Sequence, residues 1–247
     1  MSESSNYHGN TNCFDHASGF NKIERIFDAK GKTLKILDLG CGDGRLSAEL
    51  IRQGHEVTGL DSHANGLAEA EKKGLKIVQA DIEKPLPFND KSFDTVLLLD
   101  VLEHLYNQTS VLGEVNRVLK DDGSVLVAYP NHFDLKNRLN ILCGGGIVHW
   151  DHKKYANAKA WSYGHIRFLL IKELLELLET KNFYPRKIQF NFMSGGFIPT
   201  KFTPKKLRIY LLKSWPQIFT GKYILEVTKT KEKNIEKIFL SKTERGI

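Results

Sequence analysis

Three glycines alternate with other residues directly after an apolar run, in the string Leu37-Asp38-Leu39-Gly40-Cys41-Gly42-Asp43-Gly44. Glycines at a strand-to-helix turn lack the Cβ atoms that would hold a ligand away from the backbone, so the turn predicts a nucleoside-cofactor site. A dinucleotide site would need its third glycine at position 45, where the chain has Arg45. Asp38 would repel a pyrophosphate but could pair with an ammonium group. The spacing therefore favours a nucleoside that carries a positively charged amino-acid end.

The same string resembles the glycine-rich motif of the class I S-adenosylmethionine-dependent methyltransferases, whose cofactor fits that description. Further segments resemble this family in the expected order, and together they cover about residues 34–131: Gly59-Leu60-Asp61, Val78-Gln79-Ala80-Asp81-Ile82, the run from Phe93 to Leu105, and the run from Leu119 to Asn131. Each match alone is weak, but their order and spacing make the resemblance specific.

The resemblance assigns cofactor-binding roles to particular residues. Asp61 is the candidate for the ribose, because the two oxygens of one carboxylate can accept both hydroxyl donors. Asp81 is the candidate for the adenine amino group, although it could also be a simple turn former. Asp38 could likewise only brace the glycine turn. The complete predicted set is Asp38, Gly40, Cys41, Gly42, Gly44, Asp61, Ser62, Ala80, Asp81, Ile82, Leu99 and Asp100.

Two histidines are candidates for removing a proton from an acceptor hydroxyl. His104 follows the fourth predicted strand, and its alternative role is that of a polar core or surface residue. His165 belongs to a pattern that resembles methyltransferases of the ubiquinone-biosynthesis type, here Pro130, Asn131, His165, Arg167 and Phe168. It could instead bond a loop carbonyl.

No metal site is predicted. His149, Asp151 and His152 lie close together in sequence, but no further ligand accompanies them. The three cysteines Cys13, Cys41 and Cys143 contain no C-x-x-C pair, so neither a zinc site nor a disulfide framework is indicated.

The elements that must position these residues alternate between strand and helix patterns. This alternation predicts an α/β fold, a Rossmann-like seven-stranded, mostly parallel sheet with helices on both faces. The resemblance adds that the final strand runs antiparallel. The predicted strands are 34–39, 56–60, 75–79, 94–99, 124–129, 186–192 and 222–229. Helices are predicted near 44–53, 65–73, 108–119 and 171–179, the third being stopped by Asp122-Gly123.

The remaining segments are expected to surround one methyltransferase domain over 34–230. Residues 1–33 should form an N-terminal lid or cap, and insertions at 130–165 and 191–222 should cap the substrate. The first insertion follows strand five, so it should lie at the carboxyl ends of the strands, where open α/β sheets bind ligands. The basic tail, 231–247, is expected to be a short helix or a frayed end.

Charge is distributed unequally along the chain. Residues 1–130 carry 14 Lys and Arg against 20 Asp and Glu, whereas residues 131–247 carry 22 against 9. The basic half favours an anionic or amphiphilic small-molecule acceptor, or it is simply a solvated lysine-rich surface. Residues 201–219 mix lysines with aromatic residues, which suits peripheral membrane contact or a helix packed over the site. The chain shows no secretory signal and no apolar run long enough for a membrane span, so a cytoplasmic location is expected.

The resemblance implies an enzyme that transfers a methyl group from S-adenosylmethionine to a small-molecule or lipid-precursor acceptor, with oxygen as the target atom. A nucleic-acid (RNA) methyltransferase that uses the basic half is a second hypothesis. The residues at the end of the fourth predicted strand argue against this hypothesis. Methyltransferases that act on the amino groups of bases use an Asn/Asp-Pro-Pro-aromatic string there, whereas this chain has Leu99-Asp100-Val101-Leu102. A third hypothesis is a non-catalytic cofactor-binding protein. The oligomeric state is not indicated by any pattern.

Overall fold

Eight strands form one sheet in the computed structural model of the chain, which describes residues 31–147, 164–192 and 203–240. The strands are β1 (Lys35–Leu39), β2 (Glu56–Asp61), β3 (Lys76–Gln79), β4 (Phe93–Leu99), β5 (Leu119–Pro130), β6 (Tyr184–Phe192), β7 (Thr220–Thr228) and β8 (Glu236–Leu240). They lie in the order β3-β2-β1-β4-β5-β7-β6-β8. Strands β1 to β5 pair in parallel, and β7 runs antiparallel to β5 and β6. The predicted α/β class and the antiparallel β7 are therefore confirmed.

Helices cover both faces of this sheet, as predicted. They are α1 (Arg45–Arg52), α2 (Ala64–Lys72), α3 (Gln108–Val118), α4 (Leu135–Leu142), α5 (Ile171–Glu179), α6 (Lys205–Ser214) and α7 (Pro216–Phe219), with a single 3-10 turn at Leu102–His104. One core cluster contains Leu50 of α1 and Ala70 of α2 against Ile36 and Leu97. The other contains the apolar residues of α3 and α5 against the opposite face of β1 and β4. Successive strand residues point to opposite faces, which is why parallel strands covered on both sides are apolar throughout.

The strand order reverses between β1 and β4, which are neighbours although the chain leaves β1 toward β2. Crossover connections leave on opposite sides at such a switch point, so a crevice opens outside the carboxyl ends of these two strands. The glycine turn follows β1, and the predicted base His104 follows β4. The topology therefore brings the predicted cofactor and acceptor residues to one edge of the sheet.

The eighth strand corrects the expectation that the basic tail is a short helix or a frayed end. Glu236–Leu240 pairs in parallel with β6 over Lys187 to Asn191. Phe239 stacks on Phe190 of β6, with ring centroids 5.2 Å apart. Without β8, the outer N–H and C=O groups of β6 would lack strand partners. Pairing with β6 and the aromatic contact therefore outweigh the weak local pattern that suggested a helix or a frayed end. The sheet consequently has eight strands where seven were predicted.

Strand β5 begins five residues earlier than predicted, and helix α3 ends earlier. Leu119 already has an extended backbone and pairs with Phe93, so α3 ends at Val118 and not at Asp122-Gly123. A register shift between Phe93 and Thr95 accommodates the intervening residues. The interpretation of Asp122-Gly123 as a helix stop was therefore wrong, because strand pairing ends the helix first.

The N-terminal lid expected over 1–33 lies outside the described residues except for 31–33. Of the two predicted insertions, the described parts form α4 in the first and α6 and α7 in the second. The boundaries of the domain and its caps stay predictions. No helix in the three described ranges is both long enough and apolar enough to cross a bilayer.

Candidate cofactor and acceptor site

The glycine turn between β1 and α1 is held in left-handed backbone geometry. Gly40, Gly42 and Gly44 have φ angles of +74°, +53° and +68°. A Cβ added at Gly40 would lie 2.9 Å from Cγ2 of Val101, the residue that follows Asp100 after β4. A Cβ at Gly42 would meet nothing within 4 Å, so this residue faces open space. The turn therefore packs closely against the exit of β4 and leaves room for a ligand in front of Gly42.

Asp38 is buried at the carboxyl end of β1, directly below the turn. The Ser47 hydroxyl of α1 donates a hydrogen bond to its Oδ2 at 2.6 Å. Burial raises the pKa of Asp38 to about 6, the Ser47 hydrogen bond opposes this rise, and the nearby Asp61 charge adds to it. A buried carboxyl in this state gains from a positively charged partner, because the partner would stabilise its ionised form.

Asp61 ends β2 on the other side of the turn. Its Oδ2 accepts from the Gly42 N–H at 2.9 Å, and its Oδ1 accepts from the His63 N–H at 2.9 Å. Each carboxylate oxygen has a second lone pair beyond these bonds. Nδ1 of the exposed His63 also lies 3.2 Å from Oδ1. Asp61 is thus fixed by the backbone beside the open space at Gly42, with one lone pair left on Oδ2 and one on Oδ1 for which a ligand donor would compete with the His63 ring.

The predicted adenine residues follow β3, next to Asp61. The Ala80 N–H donates to the Asp61 carbonyl oxygen at 3.1 Å, so the ends of β2 and β3 lie side by side. Ile82 and Ala80 pack against the core. Asp81 is exposed, and its Oδ1 accepts from the Glu83 N–H at 2.9 Å, as a turn-forming aspartate would. Both roles considered for Asp81 remain compatible with this geometry.

Two of the other predicted cofactor residues contribute differently from the glycines. The Cys41 thiol lies against the backbone of Gly59, where an added Cβ would come within 2.6 Å of Sγ. Burial raises the pKa of this thiol, and the neighbouring Asp38 charge raises it further, so it stays protonated. Ser62 is exposed, and its hydroxyl lies 3.2 Å from Nδ1 of His63. The Cys41 N–H donates to the Leu60 carbonyl oxygen at 3.3 Å, and the Cys41 carbonyl oxygen accepts from the Gly44 N–H at 2.9 Å. The backbone of Cys41 therefore shapes the turn, whereas Ser62 offers an exposed side chain.

Asp100 closes the crevice at the end of β4, after the half-buried Leu99. Its φ of +57° is unusual for a residue other than glycine. Lys222 reaches it from β7, with Nζ 2.5 Å from Oδ2 of Asp100. Lys222 pairs with Pro130 of β5 in the sheet register, which brings it to this edge. No local pattern indicates Lys222, because the contact depends on where the antiparallel strand inserts.

Three histidines meet beside the 3-10 turn. His104 Nδ1 lies 2.8 Å from the Gly164 carbonyl oxygen, which can only accept, so Nδ1 carries the hydrogen and Nε2 of the neutral ring is an acceptor. His165 Nδ1 lies 2.7 Å from Nε2 of the buried His132. The His104 and His165 rings contact each other edge to face at 4.7 Å between centroids. The structure thus brings both predicted bases together and adds His132.

Glu103 is fully buried beneath this cluster, and among the described residues neither of its carboxylate oxygens has a hydrogen-bond partner. Its Oε1 lies 3.9 Å from Nε2 of His165. Burial raises its pKa well above the usual range, and the Asp100 charge raises it further. Ligand atoms of Glu103, His104 and His165 all lie within 4.8 Å of one another, an arrangement that could also hold a metal ion. The sequence expected no metal here, and that expectation stays a prediction.

The other residues of the Pro-Asn and His-x-Arg-Phe pattern have structural contacts. Arg167 donates through Nε to the Leu105 carbonyl oxygen at 3.2 Å and through Nη2 to that of Tyr106. The buried Asn131 donates through Nδ2 to the carbonyl oxygens of Gln217 and Thr220, at 2.8 and 2.7 Å. These bonds hold the segment at 164–168 to the exit of β4, and α7 to the exit of β5. Pattern residues therefore build the walls around His165.

Sequence reasoning missed Glu103, His132 and Lys222 as members of the site. His132 follows directly after Pro130 and Asn131, so its position in that pattern was the available signal. Glu103 precedes His104, but a glutamate there reads equally well as a helix-start residue. His149, Asp151 and His152, which were too few to predict a metal site, lie outside the described residues.

Known proteins that are similar to this chain include methyltransferases. A family model described as a methyltransferase domain matches residues 37–127, which run from β1 into β5. The chain is 30% identical over 155 residues to a ubiquinone biosynthesis O-methyltransferase of Rickettsia prowazekii, covering 60% of this chain and 58% of that protein. It is 26% identical over 187 residues to the protein of the same name from Pelagibacter ubique, covering 72% and 75%. The chain spans about three fifths of the length of the first of these relatives.

A solved structure of similar fold is that of a SAM-dependent methyltransferase from Archaeoglobus fulgidus. It superimposes with a TM-score of 0.60 over 86% of this chain and 93% of that one, at 19% sequence identity. At this identity the likeness concerns the fold alone, so what the site does depends on its own residues.

Proposed function

We propose that this chain is a class I S-adenosylmethionine-dependent methyltransferase that transfers the methyl group of that cofactor to a small-molecule or lipid-precursor acceptor. We propose oxygen as the target atom. The observation that carries the proposal is the meeting of two sets of residues at the switch point. The carboxylates around the glycine turn lie next to the histidine cluster, because Val101 packs on Gly40 immediately before the turn that bears His104.

The glycine turn fits S-adenosylmethionine in both shape and charge. Open space in front of Gly42 would be filled by any side chain at that position. The buried Asp38 lacks a positively charged hydrogen-bond partner among the described residues and would gain one from an ammonium group. Bound there, the cofactor supplies a methyl group activated by a positively charged sulfur.

Different residues of the chain would hold the amino-acid end, the ribose and the adenine of this cofactor. Asp38 would face the amino-acid end, and the backbone of Gly40, Gly42 and Gly44 would line its path. Asp61 would accept both ribose hydroxyls with its remaining lone pairs. Ser62, Ala80, Asp81 and Ile82 would surround the adenine, and Leu99 and Asp100 would close the crevice toward the acceptor. Cys41 would contribute its backbone.

An acceptor hydroxyl needs a group to take its proton, and two imidazole nitrogens are placed for that role. Nε2 of His104 is an acceptor because Nδ1 donates to Gly164. Nε2 of His165 faces the same cluster, 3.9 Å from Oε1 of Glu103, whose raised pKa favours the neutral carboxyl. His132 holds the other nitrogen of His165. His104 and His165 are therefore the proposed bases, and positioning of the hydroxyl between them would supply much of the rate.

The oxygen assignment is supported by two observations. The curated relatives, which are 30% and 26% identical to this chain, carry the name O-methyltransferase. A cluster of imidazoles suits a hydroxyl, whose proton must leave as the oxygen becomes a nucleophile. The relatives give no support to an RNA methyltransferase or to a non-catalytic protein. A cytoplasmic site of action belongs to the proposal and would be tested by cell fractionation.

The test is a transfer experiment with the full chain and trideuteromethyl-labelled S-adenosylmethionine. Small-molecule and lipid extracts and total RNA are incubated separately, and products are identified by mass spectrometry. Label in a small-molecule or lipid product that is absent with Asp61→Ala would support the proposal. Label confined to RNA, or no label in any fraction despite cofactor binding measured by calorimetry, would contradict it.

A further inference from the structure

Helix α6 presents a large apolar face to solvent. Leu207, Tyr210 and Trp215 are 45%, 58% and 51% exposed, whereas Arg208 and Leu212 on the inner side are buried. Tyr210 and Trp215 contact each other edge to face, with ring centroids 6.4 Å apart. Exposed apolar residues that lie singly are ordinary, but three large ones grouped on α6 and on Trp215, the residue directly after it, form a patch that water solvates poorly.

Positive charge frames this patch. Lys206 and Lys213 are exposed on α6, and Nζ of Lys213 lies 5.9 Å from the centre of the Phe239 ring on β8. No acidic residue occurs between Glu179 and Glu226, a stretch that contains nine lysine and arginine residues. From β8, Glu236 lies 4.0 Å from Lys187, so this acidic group already faces a cation of β6. The side of the molecule around α6 is therefore positive as well as apolar.

The patch is connected to the acceptor site through α7. The Phe219 N–H donates to the Trp215 carbonyl oxygen at 3.2 Å, which ties the end of the patch to α7. Asn131 holds α7 to the exit of β5, and the next residue, His132, contacts His165. Helix α7 therefore links the end of the patch to the wall of the acceptor site.

We propose that the face formed by Leu207, Tyr210 and Trp215, framed by Lys206 and Lys213, docks on an anionic phospholipid surface. Tyrosine and tryptophan suit the boundary between headgroups and acyl chains because each ring is apolar at one end and polar at the other. Lysines add attraction to acidic headgroups, and their apolar stems can lie along the membrane.

The side chains favour a membrane over a nucleic acid. Recognition of a phosphate backbone typically uses the planar fork of arginine, but the one arginine of α6, Arg208, is buried. An exposed patch of two aromatic rings and a leucine has no role in simple phosphate contact, whereas it supplies the insertion that a bilayer needs. The proposal goes beyond methyl transfer and does not depend on it.

The test is co-sedimentation of the full chain with sucrose-loaded vesicles. One set contains phosphatidylcholine and phosphatidylglycerol, the other phosphatidylcholine alone. The chain should bind the anionic vesicles at least about tenfold more strongly, and raised salt should weaken the binding. Each lysine near an anionic surface contributes on the order of 1 kcal/mol, so Lys206→Gln with Lys213→Gln should weaken binding about thirtyfold.

Matched variants separate this face from general charge and apolarity. Lys76→Gln with Lys172→Gln removes the same charge from exposed lysines on β3 and α5, and binding should change less than about twofold. Tyr210→Ser with Trp215→Ser should weaken binding more than about tenfold, whereas Ile235→Ser, at another exposed apolar residue, should not. Thermal unfolding of each variant checks that it is folded.

Several results would overturn the proposal. One is equal sedimentation of the chain with both kinds of vesicle, and another is equal loss of binding in the α6 variants and their matched controls. Light scattering that shows a dimer abolished by Tyr210→Ser with Trp215→Ser would assign the face to a second copy of the chain. Competition for this face by single-stranded RNA, without vesicle binding, would assign it to nucleic acid. None of these results bears on cofactor binding, so the proposed enzymatic activity is tested separately.

Discussion

The cofactor side and the acceptor side of the crevice are held together in different ways. On the cofactor side, partners are close in sequence: Ser47 bonds Asp38, nine residues away, and Gly42 bonds Asp61, nineteen residues away. On the acceptor side, Gly164 bonds His104 from sixty residues away, and Lys222 bonds Asp100 from 122 residues away. The first side is a local unit that can be recognised as a motif, whereas the second exists only once distant segments have met.

This difference teaches which side constrains the sequence and which side can diversify. A turn that must approach a ligand with bare backbone permits few residues, and its partners must keep their spacing. Long-range walls can be built from many side chains, provided that they reach the same edge. We therefore expect substitutions on the cofactor side to affect cofactor affinity directly, and substitutions on the acceptor side to affect turnover at nearly constant affinity.

The largest effect is expected for Asp61→Ala. Two charge-assisted hydrogen bonds to ribose hydroxyls are each worth about 1.5–3 kcal/mol, so the affinity for S-adenosylmethionine should fall about a thousandfold. Isothermal titration calorimetry measures this loss. Asp81→Ala, at the exposed aspartate after β3, serves as the comparison and should lower this affinity far less. Unchanged affinity in Asp61→Ala would remove the ribose assignment.

On the cofactor side, Asp38→Asn should have opposite effects on cofactor affinity and on the stability of the fold. Because burial raises the pKa of Asp38 to about 6, the ionised carboxylate destabilises the fold above that pH. The variant should therefore be more stable than the wild type by about 3 kcal/mol at pH 7, yet bind the cofactor much more weakly. The wild type should gain stability as the pH falls through 6 toward 4, and the variant should lack this gain. Urea denaturation across this range tests the prediction, and a less stable variant at pH 7 would contradict it.

On the acceptor side, His104→Ala and His165→Ala should each lower turnover about a hundredfold, as loss of a general base does. Calorimetry on the same variants should show cofactor affinity within about threefold of the wild type, because His104 bonds Gly164 and His165 bonds His132, both on the acceptor side. Normal turnover in both variants would exclude them as bases. A parallel loss of affinity would place them on the cofactor side and remove the distinction between the two regions.

The smallest effect is expected for His132→Asn, which shortens the side chain that holds Nδ1 of His165 at 2.7 Å. Turnover should fall about tenfold through kcat, with KM little changed. Combined with His165→Ala, it should cause no further loss, because a positioning residue acts only through the ring it positions. An additive loss in the double variant would show that His132 has a merely structural role.

Local patterns in the sequence predicted most of the fold and the cofactor side. Strands β1 to β4 and their helices follow from alternation and glycine spacing, and Asp38 and Asp61 lie where their motifs put them. Strand β8 was not predictable in this way, because its strand character comes from pairing with β6 and from the contact of Phe239 with Phe190. Lys222 and Glu103 were not predicted for a similar reason. The role of Lys222 depends on the register of strand pairing and that of Glu103 on burial, and both are long-range properties.

The insertion of β7 between β5 and β6 has a consequence for biosynthesis. Strand β6 leaves the ribosome before β7, yet its place in the sheet is beside β7, so it must wait until the later strand has entered the gap next to β5. Lys222 arrives on that later strand. A nascent chain can thus assemble its glycine turn early, whereas the opposite wall of the crevice is completed only after β7 and Lys222 have emerged.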